Sequence, residues 1–301
     1  MKLVFLGSGG SWPTKERNLS SIALKMNGEI ILFDCAEGTQ RQLFISGLNF
    51  MHVNKILISH FHGDHFLGLP GLIQSMYLND RAKELHIYGP KGTTNIVNGI
   101  LTMGYFNPTF DILTHDLSDG DEITQEDYDI WVRAADHDIP ALGFKIVEHQ
   151  RKGKFYPEKA LALGVKEGPL FRKLQNGHSV EIEGRIVKSE DVMGKPRMGR
   201  SVVYSGDTRP SRAIIELAKD CDVLIHDATL SGDLEDKAKR YGHSSTTQAA
   251  TVAKQSNAKV LFLTHISPRY DDAQILEDEA RKIFKHSFVA WDFLEYEVQL
   301  D

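Results

Sequence analysis

The chain has 301 residues, 41% hydrophobic and 25% charged, with a net charge of −6 at pH 7. That length can bury a large core, as one α/β domain with an insertion or as two half-domains. Two cysteines make no disulfide framework and no apolar stretch approaches a membrane span, so the composition excludes disulfide-stapled secreted scaffolds and membrane-embedded proteins.

Residues 2–6 read as a strand that stops at Gly7-Ser8-Gly9-Gly10, too soon for a signal peptide, and a cytoplasmic location is expected. These glycines lack the spacing of a dinucleotide fold and the Gly-Lys-Ser/Thr ending of a P-loop, and read as a tight turn opening the loop 13–18. Strands follow at 20–26, 29–34, 55–59 and 85–88, with helices at 38–46, 66–79 and 92–105. In the second of these helices Leu69, Leu72, Ile73, Met76 and Tyr77 recur at helical spacing. Strand-like segments at 110–116, 129–135 and 142–148 complete the first half. The second half alternates strands at 201–204, 222–226 and 259–263 with helices at 211–219, 246–256 and 272–284. This order predicts two similar halves packed sheet to sheet. Cys35 and Cys221 adjoin apolar segments and read as buried free thiols.

Between the halves, residues 150–197 are rich in Lys, Gly and Pro. From Arg151 to Arg200 there are twelve Lys or Arg against six Asp or Glu, a net +6, so the rest of the chain carries −12. The overall charge argues weakly against nucleic acid, but this segment does not. Both its ends run into strands, so a protruding arm is expected rather than a linker.

The densest chemistry is His60-Phe61-His62-Gly63-Asp64-His65, directly after the buried-strand run Ile56-Leu57-Ile58. Four good ligands in six residues are too many for one metal and suit two, which points to phosphate-ester hydrolysis. Three more strand-like runs end in His or Asp: Asp136-His137 after 128–132, Asp207 after 202–204, and His265 after 260–263. Each alone reads as a polar residue closing a strand; four together read as a metal site at the sheet edge, where α/β proteins place their sites.

His-x-His-x-Asp-His followed by spaced His, Asp and His resembles the metallo-β-lactamase superfamily. The resemblance implies a four-layer αββα sandwich, α/β in class, formed by residues 1–301 as one domain with 150–197 inserted. It also implies a dinuclear centre in which His60, His62 and His137 hold one zinc, Asp64, His65 and His265 the second, and Asp207 bridges them; manganese or iron would also suit such donors. Within the superfamily, Pro13-Thr14-Lys15-Glu16-Arg17-Asn18, Ala134-Ala135-Asp136-His137, Gly242-His243-Ser244-Ser245-Thr246 and Val165-Lys166-Glu167-Gly168-Pro169-Leu170 are similar to motifs of the tRNase Z family, in the family's order, over most of the chain.

That likeness implies an endoribonuclease that cuts precursor tRNA after the discriminator base. Asp64 would handle the attacking water and His243 would protonate the leaving 3′-oxygen. Lys15, Arg17, Asn18, Gly168 and Pro169 would contact substrate. Two zinc ions per subunit, a homodimer, precursor tRNA as partner, and neither membrane nor DNA are expected. One departure stands out: Ser244 occupies a position where some members carry Glu, so a His–Glu pairing does not transfer and the group orienting His243 is unassigned. His243 could also simply neighbour a helix cap, since Ser244, Ser245 and Thr246 would cap 246–256; Lys15 and Arg17 could be solvated loop charges. His52, His86, His115, His149, His178, His226 and His286 fit no ligand pattern, His226-Asp227 being the pair expected nearest the site. The alternatives are another hydrolase of the superfamily, a phosphodiesterase or a glyoxalase II-type thioesterase, and a catalytically silent RNA-binding relative.

Overall fold

A computed structural model describes residues 1–105 and 108–300. In chain order its strands are β1 (Lys2–Gly7), β2 (Ser21–Met26), β3 (Glu29–Phe33), β4 (Val53–Leu57), β5 (Leu85–Pro90), β6 (Ile112–Leu117), β7 (Glu122–Thr124), β8 (Tyr128–Ala134), β9 (Leu142–Glu148), β10 (Val180–Ile182), β11 (Arg185–Val187), β12 (Ser201–Tyr204), β13 (Val223–Asp227), β14 (Val260–Thr264), β15 (Ser287–Val289) and β16 (Glu295–Glu297). Two compact units emerge, one from Met1–Val147 with Arg200–Gln299, the other built around Glu148–Gly199.

The larger unit holds two seven-stranded sheets, ordered β16-β1-β2-β3-β4-β5-β6 and β15-β14-β13-β12-β9-β8-β7. Strand alternation sends successive side chains to opposite faces and sorts the apolar residues into layers. Leu3 and Phe5 of β1 meet Phe144, Ile146, Val202 and Phe262 of the other sheet in a central core. Val4 and Leu6 turn outward, where the first sheet is covered by Leu43, Leu72, Ile73, Met76 and Val97 from the helices Thr39–Ile45, Leu69–Leu78 and Thr93–Leu101. The second sheet is covered in the same way by Ile214, Ala249, Val252 and Leu276 from Arg212–Leu217, Thr246–Gln255 and Gln274–Arg281. Each fully buried Leu, Ile or Phe stabilises this arrangement by about 1.5–3 kcal/mol. The result is the helix–sheet–sheet–helix order of the predicted sandwich.

The expected helix 66–79 is split into Gly63–Phe66 and Leu69–Leu78. At the break Gly68 packs so tightly that a Cβ would lie 2.0 Å from the Ala36 carbonyl oxygen, and Pro70 belongs in a first helical turn. In the larger unit three short strands, β7, β15 and β16, have no counterpart among the predicted elements.

The smaller unit has structure of its own. Helices Pro157–Ala162, Pro169–Gln175 and Ser189–Val192 and the β10–β11 hairpin enclose Ala160, Val165, Phe171, Leu174, Val180, Val187 and Val192. Phe155 packs edge-on against Phe171 with ring centres 4.9 Å apart, closing this local core.

Candidate metal centre

The candidate ligands converge because parallel neighbours in a sheet end side by side. His60, His62, Asp64 and His65 follow β4, and Asp207 and His265 follow β12 and β14, which flank β13 in one parallel array. His137 follows β8. The inward atoms of His60, His62 and His137 lie within 4.8 Å of one another, and so do those of Asp64, His65 and His265. Asp207 lies between these groups: its Oδ2 is 3.6 Å from His60 Nε2, 3.2 Å from His65 Nε2 and 3.3 Å from His265 Nε2.

Hydrogen bonds on the outer side of the rings determine which nitrogen faces inward. His65 Nδ1 donates to Asp34 Oδ2 at 2.7 Å and His137 Nδ1 to the Gly242 carbonyl at 2.8 Å. Ser59 Oγ donates to Asp34 and Thr229 Oγ1 donates to Asp227, so each hydroxyl is left to accept, from His60 Nδ1 at 3.0 Å and His265 Nδ1 at 2.8 Å. All four imidazoles therefore carry their proton on Nδ1 and turn the Nε2 lone pair inward, as ligating histidines do. His62 presents Nδ1, 3.1 Å from His60 Nε2 and 3.2 Å from His137 Nε2. Inside the cluster His65 Nε2 is buried without a hydrogen-bond partner among the described residues. A buried lone pair left this way is costly unless a cation takes it. The donor set fits a divalent metal pair.

Two buried aspartates anchor this frame: Asp34, which no sequence motif marks, and Asp227, of the pair expected nearest the site but given no role there. Asp34, at the end of β3, accepts from Ser59 N, Ser59 Oγ, His65 Nδ1 and Tyr204 Oη at 2.6–2.8 Å. Asp227, the last residue of β13, accepts from Thr229 and Thr208 and, through Oδ2, from His243 Nδ1 at 2.9 Å. Asp227 is thus the group that orients His243, and it touches that ring rather than the ligand cluster. Burial disfavours the imidazolium of His243, but Asp227 and Asp207 outweigh it and raise its pKa to about 9. Burial also works against the Asp64 carboxylate, yet His265 and His65 hold its pKa far below the usual range. Asp64 Oδ2 accepts the Ser11 amide at 2.7 Å and lies 3.3 Å from His265 Nε2.

Backbone conformation serves the same end. His265 adopts φ +60°, rare for a side chain without local compensation, and its ring lies against Gly10, where a Cβ would come within 2.3 Å of it. Ser245 caps the helix Thr246–Gln255 in a reciprocal capping box with Gln248, which makes capping and the His243 role separate properties of neighbouring residues.

Family models match residues 1–118, as an anti-Pycsar protein of the Apyc1 type, and residues 188–266, as a β-lactamase superfamily domain. Ribonuclease Z of Methanosarcina mazei is 44% identical over 299 residues, covering 99% of this chain and 98% of its own. The chain belongs to the ribonuclease Z family. Ribonuclease Z of Archaeoglobus fulgidus is 42% identical over 303 residues, covering 100% of this chain and 98% of its own. Among solved structures, human tRNase Z, short form, superposes with a TM-score of 0.73 at 28% identity, covering both chains completely. A Bacillus subtilis metallo-β-lactamase-fold protein, YhfI, gives 0.71 at 17% identity, which speaks to the fold alone.

The residues of this chain expected to contact substrate have varied surroundings. Lys15 is exposed. Arg17 is half-buried, and its guanidinium donates to Ser8 Oγ at 2.6 Å and to the Ala290 carbonyl at 2.5 Å. Asn18 donates through its side chain to the Glu37 carbonyl and through its amide to Asp292 Oδ2 at 2.7 Å. Asp292 also accepts from Ser8 and Gln42, tying the base of the 13–18 loop to the C-terminal segment. In the smaller unit Gly168 and Pro169 start the helix Pro169–Gln175 and edge a concavity of about 330 Å³ with Arg172, Lys173, Asn176 and His178. Cys35 and Cys221 are buried and free, with thiol pKa values raised by burial.

Proposed function

We propose that this chain cleaves precursor tRNA after the discriminator base, leaving a tRNA 3′-hydroxyl and a trailer with a 5′-phosphate. The observation that carries the reading is the inward array of imidazole lone pairs around Asp207, in a chain that is 44% identical to ribonuclease Z over nearly its whole length. His60, His62 and His137 would hold one divalent ion, Asp64, His65 and His265 the other, with Asp207 shared. Zinc matches the imidazole and carboxylate donors; manganese and iron are the other candidates. Two such ions, when bound, acidify a water and neutralise phosphate charge.

The chain's own residues do the rest. Asp64, fixed by the Ser11 amide, orients the attacking water or takes its proton. His243, held by Asp227 and cationic at neutral pH, delivers a proton to the departing 3′-oxygen. Lys15, exposed in its loop, reaches backbone phosphate; Arg17 and Asn18 shape that loop. The smaller unit, through Gly168-Pro169 and its surplus of basic residues, binds the body of the tRNA by charge and shape.

A homodimer is consistent with the helices Thr39–Ile45 and Leu69–Leu78, which expose Phe44, Ile45 and Leu78. Among the described residues no helix is long and apolar enough to cross a membrane; a cytoplasmic location and freedom from DNA belong to the same reading. The test is cleavage of an end-labelled precursor tRNA by metal-loaded protein, with metals counted by mass spectrometry. A single cut 3′ of the discriminator base, abolished by chelation, is expected. Hydrolysis of bis(p-nitrophenyl) phosphate without any cut in precursor tRNA would instead favour another phosphodiesterase.

A further inference from the structure

Three segments of the centre meet at one guanidinium, that of the half-buried Arg209. It stands just after Asp207 and Thr208 in the chain, close behind the carboxylate shared by the two ligand groups. Its Nη2 donates to Asp138 Oδ1 at 2.6 Å and its Nη1 to Asp136 Oδ1 at 3.2 Å, the residues on either side of His137. Its Nε donates to the Lys239 carbonyl at 2.6 Å, in the last turn of the helix Glu235–Arg240. That turn runs into Gly242 and His243, whose amides donate back to the Lys239 and Ala238 carbonyls at 3.3 Å and 2.9 Å. One rigid, planar cation thus ties the loop that presents a proposed metal ligand to the turn that presents the proposed proton donor.

The two ends of this tie depend on it unequally. The loop keeps its place through bonds that involve its own backbone: the Asp136 amide donates to Thr208 Oγ1 at 3.0 Å, the Arg209 amide to the Asp136 carbonyl at 2.8 Å, and the Ala135 amide to the Ala141 carbonyl at 2.9 Å. Truncating the Arg209 side chain leaves all three. The other partners of the Lys239 carbonyl, among the described residues, are amides of its own turn. Without the guanidinium, that turn is held at its C-terminal end. The holds there are the His137 ring on the Gly242 carbonyl, Asp227 on the His243 ring and the Ser244 hydroxyl on the Thr208 carbonyl. A departing oxygen takes its proton from a group within about 2.6–3.2 Å, so a shift of about 1 Å in the turn is felt in the chemical step. We propose that Arg209 is a positioning residue for His243, holding the proton donor at a fixed distance from the loop of His137. This rests on the proposed role of His243 and adds the residue that sets its reach.

The test is a double-mutant cycle of Arg209→Ala with His243→Ala on metal-loaded protein. Arg209→Ala is expected to lower kcat on precursor tRNA by about 10–100-fold, with KM and the metal count by mass spectrometry as in wild type. Bis(p-nitrophenyl) phosphate, whose leaving group needs no proton, should lose several-fold less. In the His243→Ala background the same change should cost almost nothing more, because it acts through the ring already removed. Losses that multiply, losses equal on both substrates, or a lowered metal count would overturn the proposal. Arg209→Lys keeps the charge but not the planar fork, and should lose about as much as Arg209→Ala. Full wild-type kcat in Arg209→Lys would reduce the residue to a surface charge and overturn the proposal too. Where Arg209→Ala does not fold, the cycle is run with Arg209→Lys and read in the same way. Failure of wild-type protein to cut any precursor would count against the proposed function instead; normal cutting by wild type with a multiplying Arg209 loss fails this inference alone.

Discussion

Asp227 Oδ2 accepts the Nδ1 proton of His243 at 2.9 Å, while Oδ1 of the same carboxylate holds Thr229, whose hydroxyl accepts from His265 Nδ1. One buried side chain thus orients both the proposed proton donor and a proposed metal ligand. His243→Ala is expected to lower kcat on precursor tRNA by about 10²–10⁴-fold, the usual contribution of a general acid. A p-nitrophenolate leaving group needs no proton, so bis(p-nitrophenyl) phosphate should lose far less, and the ratio of the two losses checks the role. Because the two residues act as a unit, Asp227→Asn combined with His243→Ala should be little worse on tRNA than the more damaging single change.

The same pair makes stability depend on pH in the metal-free protein. The His243 pKa is raised to about 9 against an ordinary value of 6.5. Its contribution is complete below pH 6.5 and is lost as pH rises through about 9. The carboxylate side is set by Asp227, whose lowered pKa removes the contribution only in acid. The thermal-stability advantage of wild type over His243→Asn, measured on chelated protein, should therefore be flat from mildly acidic pH to about 6.5 and shrink towards pH 9. An advantage that grows with pH over that range would contradict the ion pair.

Asp34 offers a separate handle on the metals. It touches no metal position itself but fixes His65 directly and His60 through Ser59. Asp34→Ala is expected to weaken metal affinity about 10–100-fold, the usual effect of removing a ligand's outer hydrogen-bond partner. It also strips the buried Tyr204 hydroxyl of its acceptor, which costs about 1–3 kcal/mol of stability. Competition with a fluorescent chelator and a denaturant titration of the metal-free protein separate the two effects. Unchanged affinity would mean that ring packing alone holds His65.

How far the sequence could be read follows from where information is local. His60 to His65 announced themselves because six consecutive residues carry four donors, and His137, Asp207 and His265 because each ends an apolar run at a comparable point. Asp34 and Asp227 end strands in the same way, but their meaning lies in partners 31 and 16 residues away in sequence, and no local pattern marks an aspartate that orients from one that ligates. Arg17 shows the converse: its motif suggested phosphate, whereas its hydrogen bonds run to Ser8 and Ala290, the latter 273 residues distant. The core of Glu148–Gly199 was hard to see because Val180, Val187 and Val192 sit on three-residue strands and a four-residue helix, too short for any period to register.

Gly10 tests the close packing against His265. A Cβ there would meet three atoms of the ring within 2.5 Å, and His265 holds a positive φ that leaves it few ways to retreat. Gly10→Ala is expected to displace that imidazole and reduce the bound metal towards one ion per chain, with activity falling on tRNA and on bis(p-nitrophenyl) phosphate alike. Mass-spectrometric metal counts provide the check; two ions retained at full affinity would show that the ring moves without cost.

Removal of the smaller unit separates substrate binding from chemistry. In the larger unit β9 and β12 pair antiparallel, with Val147 opposite Ser201, so a chain lacking 152–196 can be closed by a short hairpin connection. The excised segment carries its own apolar cluster, and its loss leaves the three cores of the larger unit intact. The shortened protein is expected to fold, bind metal and hydrolyse bis(p-nitrophenyl) phosphate near the wild-type rate. Its KM for precursor tRNA should rise by about tenfold or more, and the residual binding should respond less steeply to salt, because fewer phosphates are neutralised. Proportional losses on both substrates would assign the segment to the integrity of the centre rather than to tRNA.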